Sequence, residues 1–90
     1  MRVRRRLRIT GRVQGVFYRD WFTGEARAIG VEGWVRNRMD GSVVQGSAEM
    51  VQAAIAKARI GSPASRVADV SISDDESADI LNGFVKRPTV

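Results

Sequence analysis

The chain has no cysteine and no histidine. The first absence excludes a disulfide framework, thiol catalysis and thiolate metal sites; the second removes the commonest general base and the commonest transition-metal ligand. Any chemistry must therefore run on arginine, asparagine, carboxylates and the backbone. No hydrophobic run approaches the length of a membrane span, and the basic start Met1-Arg2-Val3-Arg4-Arg5-Arg6 is followed by no apolar h-region. Neither export nor insertion is indicated, and a cytoplasmic location is expected. There is no internal repeat, linker or low-complexity segment, so residues 1–90 read as one domain with a single modest core.

What is present in excess is positive charge, a formal +5. Such a balance favours anionic partners. The arginines near the start have a plainer explanation in strand geometry, because Arg2, Arg4, Arg6 and Arg8 share one side of a strand whose other side carries Val3, Leu7 and Ile9. This is the pattern of a sheet that exposes one face to water.

Periodicity lays out the elements in the order β-α-β-β-α-β with a short last strand. The first strand runs from about Val3 to Thr10. A helix from about Arg19 to Ile29 places Phe22, Ala26 and Ile29 on one stripe and ends at Gly30. Gly24 inside it costs about 1 kcal/mol relative to Ala, so this helix depends on packing. A strand from Val31 to Arg38 alternates Val31, Gly33, Val35 and Asn37 against Glu32, Trp34, Arg36 and Arg38. Asp40-Gly41 is a hairpin signal, and the return covers Ser42 to about Gly46.

The second helix, Ala48 to Ile60, has Ser47 as N-cap, Val51, Ala54, Ile55 and Ala58 as its core stripe, and Gly61 then Pro63 as stops. Arg66 to Ser73 alternates as a strand, Asp74 to Asp79 is an acidic loop, and Ile80 to Arg87 supplies one last short strand. The expected fold is α+β: a ferredoxin-like split βαβ two-layer sandwich, with an antiparallel sheet and both helices on one face.

Between the first strand and first helix lies Gly11-Arg12-Val13-Gln14-Gly15-Val16-Phe17-Tyr18-Arg19. A turn that ends at a helix N-terminus presents backbone N–H groups with no intrahelical partner, and the helix dipole adds positive potential, so it suits an oxyanion. Gly15 permits close approach of the main chain to a ligand, and Arg19 adds a planar charged fork matched to phosphate oxygens. An ordinary loop with a solvated arginine is the competing explanation of this segment alone.

Two stretches together resemble the acylphosphatase family. The first is Gly11 to Arg19; the second is Gly33-Trp34-Val35-Arg36-Asn37-Arg38-Met39-Asp40-Gly41-Ser42-Val43. Glu25-Ala26-Arg27, Ile29-Gly30-Val31, and Gly61-Ser62-Pro63 through Arg66-Val67 also fall where that family would have them, so the resemblance covers nearly the whole chain. It implies a metal-independent and cofactor-free hydrolase of carboxyl-phosphate mixed anhydrides; a monomer is expected, although the sequence itself does not give the oligomeric state. A small-molecule acyl phosphate would be the substrate, with inorganic phosphate as product and inhibitor. It also implies phosphate binding by Gln14, Gly15, Val16, Phe17, Tyr18 and Arg19, with Arg19 and Asn37 as the catalytic pair, Asn37 orienting water.

The absence of histidine fits, because an acyl phosphate has a good leaving group and phosphoryl transfer rests on positioning and charge stabilisation. Asp20 and Glu25 are expected to serve as a dipole partner and an exposed helix residue. Tyr18 is expected in the core or lining the acyl pocket, and Trp34 over the open sheet face. The alternatives are an RNA- or polyanion-binding module of the same fold, although the RNA-binding consensus is absent from both central strands, or a catalytically impaired relative.

The resemblance departs in one place. After Val43 the family pattern has about three more residues before its glycine than Val44-Gln45-Gly46 provides, so the return strand is expected to be short. Either the Asp40-Gly41 turn is kept and the strand ends early, which the Asp-Gly signal favours, or the turn moves back toward Asn37.

Overall fold

In the computed structural model, the described residues are 2–12, 18–36, 41–63, 65–77 and 80–87. Seven elements follow in the order β1 (Arg2–Arg12), α1 (Tyr18–Ile29), β2 (Glu32–Val35), β3 (Ser42–Ser47), α2 (Ala48–Ile60), β4 (Arg66–Asp74) and β5 (Phe84–Lys86). They form a five-stranded sheet in the order β4-β1-β3-β2-β5. Each adjacent pair among the four longer strands is antiparallel, and the short β5 lies parallel to β2, which makes the sheet mixed.

Both helices cover one face. Tyr18, Phe22 and Ala26 of α1 and Val51, Ala54 and Ala58 of α2 share a buried cluster with Leu7, Val35, Val44, Val70 and Phe84 from the sheet. The spacing of these helical residues by three or four produces the stripe. Ser47 caps α2 as the sequence indicates: its extended backbone starts the helix and its hydroxyl accepts from the Met50 N–H at 3.2 Å. At the other end the Gly61 N–H donates to the Lys57 carbonyl at 3.0 Å.

The other face is not simply open to water, which corrects the reading of the arginine side. Trp34, Val43 and Leu81 form a second small cluster there, with Trp34 only 3% exposed. Asp75, whose side chain is 4% exposed, sits beside Arg6 Nη2 at 3.2 Å and Arg4 Nη1 at 3.6 Å. Arg4 Nε also donates to Gln45 Oε1 at 2.7 Å. The guanidinium carbons of Arg6, Arg36 and Arg87 stand 5.6, 4.8 and 4.7 Å from the Trp34 ring centroid. Arginine covers apolar surface with its stem and stacks on aromatic faces, so alternation along β1 did not reveal this coverage.

The β2–β3 hairpin also departs from expectation. Asp40-Gly41 as the central turn pair would set Ser42 opposite Met39, whereas Ser42 pairs with Val35 and the Arg36 N–H donates to the Gly41 carbonyl at 2.8 Å. The connection therefore spans residues 37–40, which lie outside the described residues, and Gly41 belongs to the returning arm. Gly41 has φ +65°, and a Cβ there would lie 2.3 Å from the Leu7 carbonyl oxygen. The left-handed φ and the close approach to β1 together require glycine here. Nor is β3 short: all its residues pair with β1, and each β2 residue has a β3 partner. Val43 and Val44 do point to opposite faces, as strand parity demands, but both are buried because both faces are covered here.

Candidate active site

β1 delivers the chain to the first signature through an irregularity. Its register against β4 shifts between Thr10 and Gly11, and Gly11 has φ +119° with no room for a Cβ, which would lie 2.2 Å from the Arg66 carbonyl oxygen. A bulge re-aims a strand end, and glycine tolerates the backbone conformation this one needs. Gln14, Gly15, Val16 and Phe17 lie outside the described residues, as does Asn37.

Beyond Gly11 and Arg12, the described part of the first signature is the start of α1, where Tyr18 and Arg19 have different tasks. Tyr18 is a core residue. Its ring stacks on Phe22 at 6.0 Å between centroids, and its hydroxyl donates to the Ala58 carbonyl at 2.9 Å, tying the start of α1 to the last turn of α2. Burial pushes its phenol well above the ordinary tyrosine value. Of the two expectations for this side chain, the structure supports core packing.

Arg19 is half-buried, and its Nη1 donates to the carbonyl oxygen of Arg87 at 2.9 Å. The Arg87 N–H in turn donates to the Val35 carbonyl at 2.9 Å. Two consecutive hydrogen bonds thus carry the guanidinium to the end of β2, from which the chain continues through Arg36 into the segment containing Asn37. That end is held firmly. Beyond the Arg36–Gly41 bond, the buried Ser42 hydroxyl donates to the Trp34 carbonyl at 2.6 Å.

The two carboxylates near the first signature have structural partners. Asp20, in the first turn of α1, pairs with Lys86, and Glu25 with Lys57 at 3.5 Å. The Asp20–Lys86 and Arg19–Arg87 contacts are the features that sequence reasoning missed. A strand was expected at the C-terminal end, but nothing local indicates that it pairs parallel to β2 or offers its backbone to an arginine side chain far away in sequence.

Arg19 and the Asp20–Lys86 pair lie where α1 begins, whereas Arg36 and Arg87 lay their guanidinium groups on Trp34 on the other face of the sheet. A guanidinium beside a helix N-terminus suits an oxyanion there. Among the described residues, no three of Asp and Glu gather as a metal-holding group. No described helix is long and apolar enough to cross a membrane.

Comparison with known proteins gives a consistent result. The family pattern described as Acylphosphatase matches residues 5–86. A protein of Rhizorhabdus wittichii named acylphosphatase is 45% identical over 99% of this chain and 92% of its own length. The crystal structure of acylphosphatase from Bacillus subtilis superposes with a TM-score of 0.81 at 33% identity, over 97% of this chain and 99% of that one. A Coxiella burnetii acylphosphatase structure superposes with a TM-score of 0.85 at 25% identity, over 96% of this chain and 93% of that one.

Proposed function

Because this chain belongs to the acylphosphatase family, we propose that it hydrolyses acyl phosphates to a carboxylate and inorganic phosphate, using Arg19 and Asn37. The supporting observation is the hydrogen-bonded connection from Arg19 through Arg87 to Val35, which brings the arginine to the strand end that leads to Asn37. In this reading the phosphoryl group sits on the main-chain N–H groups of residues 14–19 at the start of α1. Arg19 neutralises charge on its equatorial oxygens, and the Asn37 amide aims a water at phosphorus. The water oxygen bonds to phosphorus as the bond from phosphorus to the acyl oxygen breaks. The carboxylate leaves with the electron pair, and a phosphate oxygen takes the water's proton.

No strong protein base is needed, because the leaving group is a weakly basic carboxylate and the protein's contribution is positioning and charge. The product phosphate fits the same cradle and should inhibit competitively. The chain is expected to act as a cytoplasmic monomer without metal or cofactor. The RNA-binding alternative is less favoured in this reading, since Trp34 is buried beneath arginines instead of presenting an open ring for a base.

The test is turnover of benzoyl phosphate, followed by loss of its ultraviolet absorbance. Steady hydrolysis inhibited by phosphate is expected. No turnover, combined with tight and steeply salt-dependent oligonucleotide binding, would replace this reading by the polyanion-binding one.

A further inference from the structure

The short strand β5 is gripped from two sides. From the sheet, the Gly33 N–H donates to the Gly83 carbonyl and the Arg87 N–H to the Val35 carbonyl, both at 2.9 Å. From α1, Arg27 Nε donates to the Phe84 carbonyl at 2.8 Å, Asp20 pairs with Lys86, and Arg19 Nη1 donates to the Arg87 carbonyl at 2.9 Å. Phe22 meets Phe84 edge-on with ring centroids 5.6 Å apart. One residue therefore uses its N–H to hold the end of β2 and its carbonyl to hold the guanidinium of α1. Its side chain turns away, onto Trp34 on the other face of the sheet.

We propose that the main chain of Arg87 is a positioning element for Arg19, an inference that rests on the phosphate-binding role of Arg19 given above. Arginine has large rotamer freedom, and ordering it before the ligand arrives removes that cost from binding. A guanidinium has about five N–H donors, so one bond to a carbonyl leaves a pair free for a bidentate grip on phosphate while fixing which edge faces it. The N–H bond to Val35 makes the carbonyl itself a fixed point. Coupling of this kind is reciprocal: if docked β5 favours the phosphate-ready arginine, bound phosphate favours docked β5.

The experiment compares phosphate inhibition constants for the wild type, Arg19→Ala, Arg87→Ala and Arg87→Pro, each at a temperature where circular dichroism shows it folded. Alanine keeps both main-chain groups of residue 87, whereas proline removes the N–H. The constant should be at least tenfold weaker in Arg87→Pro than in Arg87→Ala. Equal values in those two would overturn the inference by assigning the effect to the side chain, or to neither. Should Arg87→Pro not fold, amide exchange in the wild type decides: saturating phosphate should slow exchange of the Arg87 N–H at least tenfold, and an unchanged rate would overturn the inference. Arg19→Ala keeps the two readings apart. If it binds phosphate as well as the wild type does, the assignment of Arg19 itself fails, whatever Arg87 does.

Discussion

Arg19 and Arg87 stand far apart in sequence, yet the Nη1 of one donates to the main-chain carbonyl of the other at 2.9 Å. The bond uses one edge of a planar group, so a lysine at position 19 would keep the charge and lose the orientation. Arg19→Lys should therefore bind phosphate more weakly and turn over benzoyl phosphate at least tenfold more slowly, with Arg19→Ala worse. Steady-state kinetics with phosphate as inhibitor measure both. Near-normal turnover in Arg19→Ala would remove this residue from the mechanism.

Asn37→Ala should separate the two roles. An amide that orients water acts mainly in the transition state, so kcat should fall by roughly a hundredfold while the phosphate inhibition constant changes little. A loss of phosphate affinity as large as that in Arg19→Ala would show that the two residues share one task.

Tyr18 is the only tyrosine in the chain, which makes its titration readable by absorbance near 295 nm. Its folded-state pKa is raised by burial, so the stability associated with the neutral phenol is full below the unfolded value near ~10 and declines as pH rises beyond it. Tyrosinate should appear only together with alkaline unfolding; a reversible titration near ~10 in folded protein would contradict the burial. Tyr18→Phe leaves the Ala58 carbonyl without its hydroxyl partner and should cost about 1 kcal/mol in urea unfolding.

Gly41→Ala would place a methyl group 2.3 Å from the Leu7 carbonyl oxygen at a backbone φ of +65°. The left-handed conformation and the overlap together should cost about 2–4 kcal/mol, a drop in Tm of roughly 10 °C or more for a domain of this size. Relief by a small shift of the hairpin end would disturb the 37–40 connection, so kcat should fall more than phosphate affinity. A Tm within a degree or two of wild type would mean that the hairpin does not press on β1.

Asp75 gives the protein an acid-sensitive point. Burial pushes its carboxyl up, but hydrogen bonds from Ser77 and Arg6 and the charges of Arg6 and Arg4 outweigh that and hold it below the ordinary value. Its contribution is therefore present above the unfolded value near ~3.9 and lost as pH falls through the lower folded-state value. Asp75→Asn should lose about 1–3 kcal/mol at neutral pH and show a shallower decline in stability on acidification below about pH 4, measured by urea unfolding across the range. Parallel pH profiles for wild type and variant would place the acid sensitivity elsewhere.

The sequence by itself determined what is local. The Ser47 cap, the stripes of α1 and α2, the alternation of Trp34 with Val35 and the order of elements all follow from periods of 3.6 and 2 and from capping groups a few residues away. The two signature stretches were also legible, because their residues are contiguous. Tertiary structure decided what depends on remote partners. The hairpin register places Ser42 opposite Val35, with Gly41 packed closely against the Leu7 carbonyl of β1, a remote contact that turn propensity does not encode. The arginine side of β1 became covered because Asp75 and Trp34 fold onto it. Arg19 found its acceptor on Arg87 because β5 enters the sheet beside β2, and a backbone carbonyl leaves no side-chain signal to read.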